Sequence, residues 1–278
     1  MPDSAICDGE HAYPFPDSPI NTEDLYVLPE IPQEAYGLDP AAFDNEGLYA
    51  YHLHVQQKAM MAKASSSDGS PVSFLSVLLY RALHRLDSNI GKPIVAHVQH
   101  QYRAALRVPM SHHSLVNYIP ITMPHRLSQW DVEKQNTVVR GQVILKGGKE
   151  ADIASINRLI EAFPSEGSLA NKRAAMDRYA GESILGKTFG ISYVGKMDWC
   201  GLERYVDDLH AYIGEKHTEN MLLIEVMTVG ADFSLTFMQS GRGEKYLNAF
   251  MEELHSLQIP VNLVGEERYK LCHTELIL

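Results

Sequence analysis

Phe189-Gly190-Ile191-Ser192-Tyr193-Val194-Gly195 is the stretch on which the reading of this chain turns. It belongs to a strand over 187–194, reached from a long helical region and followed by two more strands and a closing helix. Downstream, 221–229 and 233–239 form a hairpin turning at Gly230-Ala231-Asp232, and the mostly apolar first strand predicts burial on both faces. A helix over 244–257 ends before Pro260, and 261–264 makes a last short strand. The segment 204–212 between these elements reads as strand or as loop.

Upstream, the sharpest signal is Ser70-Pro71: a hydroxyl at N-cap and a proline at the first helical position, with Asp68-Gly69 breaking the chain before them. Phe74, Leu75, Leu78, Leu79, Ala82, Leu83 and Leu86 follow at spacings of three and four, predicting a helix buried on one broad face. Before it, 48–55 alternates, with Tyr51, Leu53 and Val55 on one face and His52 and His54 on the other, and runs into a helix over 56–64. Strands are predicted at 93–101 and 115–123. The region 131–180 has helical periodicity with breaks at Gly147-Gly148 and 164–167, predicting three helices, the first stapled by Trp130. Residues 1–45 carry seven prolines and no sustained period, predicting an extended N-terminal arm, with 46–278 as the folded unit. Helices and strands alternate without a regular βαβ rhythm, so the fold class is α/β (α+β), a mixed sheet with helices mainly on one face.

The bulk properties narrow the function classes. A formal net charge of -11, with 24 basic residues scattered along the chain, argues against a nucleic-acid partner, because phosphate contacts need clustered Lys and Arg. Cys7, Cys200 and Cys272 are odd in number and far apart, which indicates neither a disulfide framework nor a zinc site and fits a reducing cytoplasm. No basic segment leads into an apolar run near Met1, and no apolar stretch reaches about 18 residues, so a soluble, unprocessed protein without membrane association is expected.

The order of elements resembles the C-terminal lobe of the chloramphenicol-acetyltransferase-like superfamily, which contains peptide-synthetase condensation domains and alcohol O-acetyltransferases. The resemblance covers most of residues 46–265. Ser70 to Leu79 looks like the family's helix that starts on a small polar residue. His100-Gln101-Tyr102-Arg103 resembles its strand ending in arginine, and Asn117-Tyr118-Ile119-Pro120-Ile121 its Asn-aromatic strand. Phe189 to Gly195 resembles its Ser-Asn-x-Gly strand, with Tyr193 at the Asn position. Gly201-Leu202-Glu203-Arg204-Tyr205 is similar to the alcohol O-acetyltransferase branch, and an Asp-Phe-Gly-Trp-Gly segment is absent. The resemblance implies two lobes meeting in a V, with an acyl thioester and an acceptor entering a tunnel from opposite sides. It also implies that a His-His-x-x-x-Asp-Gly motif on the other lobe supplies the general base, and a histidine of near-neutral pKa suits that task.

That motif does not occur in its full form. His112-His113 begins it, but Asn117 stands where Asp belongs and Tyr118 where Gly belongs. His112 and His113 are therefore candidates for a catalytic base or a solvated loop pair. Ser192 is the second catalytic candidate. Its hydroxyl would stabilise a thioester-derived oxyanion, an effect worth roughly 3 kcal/mol, or it is a small residue that lets strands pack closely. Asn117 and Ser192 are also the candidate tunnel-lining residues. His52 and His54 share a strand face but lack a third ligand nearby, which reads as a half-exposed strand rather than a metal site, and no metal is assigned. Tyr80 and His84 read as the polar edge of a core helix. Cys200, beside Trp199, is a reactive thiol or a buried one.

Three readings follow. The chain is half of a thioester-dependent O- or N-acyltransferase whose His-His-x-x-x-Asp-Gly lobe is missing or supplied in trans; or a non-catalytic binding or scaffold lobe that self-associates; or an autonomous enzyme using His112 or His113. No tightly bound cofactor is expected, and acyl-CoA or an acyl-carrier-protein thioester is the expected co-substrate. A lobe built to line an interlobe tunnel exposes apolar surface without its mate, so the expected partner is a second copy in a homodimer, or a separate N-lobe polypeptide, with an acyl carrier as a further candidate.

Overall fold

Seven strands form one mixed sheet among the described residues: β1 (Leu48–Gln56), β2 (Ile94–Gln101), β3 (Val116–Met123), β4 (Phe189–Lys196), β5 (Leu222–Val229), β6 (Asp232–Ser240) and β7 (Val261–Tyr269). Across the sheet they run β3-β2-β4-β5-β6-β1-β7. The central β2, β4 and β5 are parallel and the flanking pairs antiparallel. The helices are α1 (Gln57–Ser65), α2 (Pro71–Leu86), the single-turn α3 (Arg103–Leu106), α4 (Val132–Lys146), α5 (Lys149–Ala162), α6 (Leu169–Ile184) and α7 (Lys245–Ser256). The computed structural model describes residues 16, 19–21, 34–44, 47–65, 70–108, 111, 115–162, 168–184, 186–196, 203–212 and 222–269. The fold class read from the sequence holds: an α/β lobe of mixed sheet.

Alternation decides which strand face meets the helices. Tyr51, Leu53 and Val55 of β1, Phe233, Leu235 and Phe237 of β6, Ile224 and Val226 of β5, and Phe189 and Ile191 of β4 join one buried cluster with α2 and α7. The residues between them point to the opposite face, which is where the polar groups gather. The β5–β6 hairpin is tighter than read, a two-residue Gly230-Ala231 turn with Val229 opposite Asp232; β5 is buried almost throughout, as expected, and β6 is too.

Helix α2 begins as its sequence dictates. Ser70 Oγ accepts from Ser73 N, Ser73 Oγ accepts from Ser70 N, and Pro71 occupies the first turn. The single broad buried face does not hold, however: every residue from Val72 through Tyr80 is buried. The sheet lies beneath, and α4 and α7 flank the helix. Ser76 survives in this setting because its hydroxyl donates to Val72 O at 2.8 Å. Tyr80 is likewise core rather than edge, with its hydroxyl donating to Pro124 O at 3.0 Å. Ion pairs join α2 to α7: buried Glu253 accepts from Arg81 Nε at 2.8 Å and Arg85 Nη2 at 2.5 Å, and Arg85 Nη1 lies 3.5 Å from the exposed Glu252 Oε2.

Other readings need correction. Trp130 does not staple α4, since its ring is 42% exposed and the position it would clasp is Gln135, whose amide donates to Leu127 O and Trp130 O. Strand β7 runs five residues past Val264, because Gly265 to Tyr269 pair with β1 beyond a register shift at His52/Leu53. Glu266, Glu267 and Arg268 among them are charged and exposed at the sheet edge, so their pairing by backbone left no apolar pattern to read. Residues 34–44 lie against the body: Tyr36 N donates to Pro93 O at 2.8 Å, Thr188 Oγ1 to Tyr36 O at 2.7 Å, and Asp39 N to the Tyr246 hydroxyl at 2.8 Å. No helix among the described residues is long and apolar enough to cross a membrane.

Candidate functional site

Strand register lines up a row of polar side chains on the face opposite the main helix cluster. Tyr118 stands opposite Gln99, Ser192 opposite Glu225, Glu225 opposite Thr236, and Thr236 opposite His52. The Ser192 hydroxyl donates to Gln99 Oε1 and closes the gap between β2 and β4. Ser192, Glu225, Thr236 and His52 are 1%, 4%, 1% and 5% exposed, so this row is an interior feature whose polar atoms need partners. Two lack them among the described residues: Glu225 Oε2 and His52 Nδ1.

Glu225 is the chemically unusual member. Burial pushes its carboxyl up to about 7, against a smaller pull downward from the Ser192 hydroxyl. Near neutral pH it exchanges between a neutral donor and a charged acceptor, a range suited to general acid–base work. The backbone around Ser192 is constrained to match. A Cβ on Gly190 would stand 2.5 Å from Leu223 Cδ1, so a larger residue in β4 would require the Leu223 side chain to shift. Gly195 has φ +89°, left-handed backbone that an L side chain resists, and it resumes the β4–β5 pairing after a register shift from Tyr193.

Beside the row, residues 203–212 cross the sheet. After a single turn, Glu203–Tyr205, the segment extends without joining a strand, which resolves the open reading in favour of loop. Asp208 Oδ1 lies 3.0 Å from His54 Nε2, and Asp208 Oδ2 lies 3.1 Å from His210 Nε2. The His210 ring stacks on His52, centroids 3.7 Å apart at 27°. His52 Nε2 is 3.1 Å from Glu267 Oε1 and 3.2 Å from the Tyr212 hydroxyl, which itself donates to Glu267. His52 is thus buried under this segment, and the half-exposed strand face expected from the sequence is corrected for it. Burial, then His52, hold His210 below the usual imidazole range. For Asp208, burial pushes upward but is outweighed by the bonds from His54 and Leu209 N, leaving the carboxyl low. The Tyr212 bond, then the His52 bond, lower Glu267. Among the described residues no three His, Cys, Asp or Glu side chains are arranged to hold a metal ion.

The candidates read from the sequence do not all meet. Ser192 lies in the buried row with its hydroxyl shared between Gln99 and Glu225, so an oxyanion-stabilising role starts from a committed hydroxyl. Asn117 stands opposite His100, one residue along β2 from Gln99, and so faces the other side of the sheet. There its amide donates to the Tyr102 hydroxyl and to Ser155 Oγ of α5 at 3.1 Å, beside a His100–Asp152 contact of 2.9 Å. His112, His113 and Cys200 lie outside the described residues. Glu225, Asp208 and His210 were not singled out by the sequence reading, although Glu225 left a signal as the one charge inside an apolar strand. A cleft of about 370 Å³ by Trp130, Arg126 and Val138 is remote from this row, on the outer edge of β3, where Gln142 bonds both Thr122 N and Thr122 O.

No protein-family model and no curated protein matches this chain. Solved structures do. The nonribosomal peptide synthetase FmoA3 is similar over 82% of this chain and 24% of its own, at 10% identity and a TM-score of 0.54. TRI101 from F. graminearum, complexed with coenzyme A and T-2 mycotoxin, is similar over 84% of this chain and 53% of its own, at 12% identity and a TM-score of 0.51. TRI101 from F. sporotrichioides, complexed with coenzyme A and T-2, is similar over 86% and 56%, at 10% identity and the same score of 0.51. The chain shares the fold of these structures over most of its length. The chain spans about half the length of the TRI101 structures and about a quarter of the synthetase. Within this lobe fold the Ser192–Glu225 row occupies the centre of the sheet, at the parallel β4–β5 pair, with the 203–212 segment over its β6–β1 end.

Proposed function

We propose that this chain is one half of a thioester-dependent O- or N-acyltransferase, completed by a lobe bearing His-His-x-x-x-Asp-Gly from another polypeptide or another segment. The observation carrying this reading is the lobe fold shared with the coenzyme A-bound TRI101 structures over about half their length, joined to the lack of the full motif in these 278 residues. In that reaction the acceptor hydroxyl or amine attacks the thioester carbonyl, its proton passes to the imidazole, and the tetrahedral intermediate collapses to ester or amide as the thiolate leaves and takes that proton. Acyl-CoA or an acyl-carrier-protein thioester is the donor; the partner is a separate N-lobe polypeptide.

The test is thiol release from acetyl-CoA, with an alcohol acceptor, by the chain alone and by the chain mixed with a motif-bearing N-lobe polypeptide. Turnover only in the mixture, lost when the second motif His becomes Ala, is the expected result. Turnover by the chain alone that His113→Ala abolishes, with folding intact, would replace this reading with an autonomous enzyme. A second reading, a non-catalytic lobe that self-associates, is favoured by one observation: the Ser192 hydroxyl is already engaged inside the sheet, by Gln99 and Glu225. It predicts a dimer in sedimentation and no turnover in either assay.

A further inference from the structure

Asp208, His210 and Tyr212 alternate along the 203–212 segment and meet three successive strands. The Leu209 carbonyl accepts from Ser234 Oγ of β6 at 2.8 Å, and Asp208 Oδ1 accepts from the same hydroxyl at 3.2 Å. His210 stacks on His52 of β1 at 3.7 Å. Tyr212 donates to Glu267 of β7, and its ring lies 5.2 Å from that of Tyr269. No backbone–backbone hydrogen bond joins this segment to the sheet among the described residues. The attachment runs through side chains, and most of them titrate.

The charges facing the stacked pair can be counted. His210 is faced by His52, His54, Asp208 and Glu267; Glu267 by His52 and His210, with Tyr212 and Tyr269 beside them; Asp208 by His54 and His210; β6 presents the neutral Ser234. Three imidazoles thus share two carboxylates. Two protons in the His52–His210 stack are matched in number by Asp208 and Glu267 but set two cations face to face at 3.7 Å, and a third on His54 leaves an excess positive charge. We propose that the 203–212 segment is an acid-released clasp: it lies closed on β6, β1 and β7 while the imidazoles are neutral, and it lifts as His52 and His210 both take protons, uncovering the Thr236 and Glu225 end of the row. The depressed titration of His210 agrees in sign, since its neutral form is the one the closed arrangement holds. The clasp does not depend on the acyl-transfer reading.

Limited proteolysis of the full chain, with cleavage rates normalised at each pH to an unstructured peptide of the same residues, tests this at about pH 7.5 and about pH 5.5. At the lower pH, protection of residues 206–212 should fall by about tenfold, while α2 stays protected. His210→Phe keeps the ring stack and removes the proton, so its protection should be independent of pH. His52→Phe carries the same prediction from the β1 side and serves if His210→Phe does not fold. The clasp is overturned by unchanged protection in the native chain, by the same loss in a folded Phe variant, or by α2 opening in parallel.

Discussion

Ser192 and Glu225 stand in register across the parallel β4–β5 pair, both buried, and the hydroxyl draws down a carboxyl that burial lifts to about 7. A carboxyl placed there couples the sheet to pH in a direction opposite to most acids.

The sign follows from linkage. The carboxyl titrates near 4.5 when unfolded and about 7 when folded, so the folded chain holds an extra proton between those values and loses stability as pH rises through them. At about 1.4 kcal/mol per unit, the whole window is worth about 3 kcal/mol. Glu225→Gln should remove this contribution. Thermal unfolding at several pH values should show the variant gaining on the native chain from pH 5 to pH 8; parallel curves would dismiss the assignment.

Ser192→Ala strips Gln99 of a donor and Glu225 of its stabilising hydroxyl. A loss of about 1–3 kcal/mol is expected in urea unfolding, with the Glu225 titration moved further upward in carboxyl NMR. A titration that stays in place would mean that the hydroxyl does not act on the carboxylate.

Gly190→Ala drives a methyl to 2.5 Å from Leu223 Cδ1. The expected cost is about 1–3 kcal/mol. Because the clash is with one side chain, the loss should be smaller on a Leu223→Ala background than in the native chain, a coupling that a double-mutant cycle reads directly. Strict additivity would place the strain in the backbone instead.

The α2–α7 tie is asymmetric. Glu253 is 3% exposed, whereas Arg81 and Arg85 are 31% and 43% exposed. Losing Glu253 lets both guanidiniums turn to water, while losing both arginines strands a buried carboxylate. We expect Arg81→Met with Arg85→Met to cost about 3 kcal/mol and Glu253→Gln less than that. Equilibrium urea unfolding giving the reverse order would contradict this.

Local signals carried most of the fold. Ser70-Pro71 placed α2 because N-capping is written in adjacent residues, and the alternation of Tyr51, Leu53 and Val55 assigned the core face of β1 because side chains repeat every second residue. The β7 extension was not legible, since Glu266, Glu267 and Arg268 join the sheet by backbone pairing at an exposed edge. The site was less legible than the fold. Ser192 was singled out from its motif, but its bond to Gln99 spans 93 residues of sequence, and the contact of His52 with Tyr212 spans 160.

By itself, then, the sequence determined the order of the main strands and helices, the core face of β1 and a resemblance in fold, because caps, turns and periodicities act between near neighbours. Tertiary structure alone decided which polar residues meet. Register aligned Gln99, Ser192, Glu225, Thr236 and His52 into one buried row, and the crossing of 203–212 set His210 on His52. Burial then lifted the Glu225 carboxyl and lowered the His210 imidazole, because the cost of holding a charge depends on what surrounds it in space.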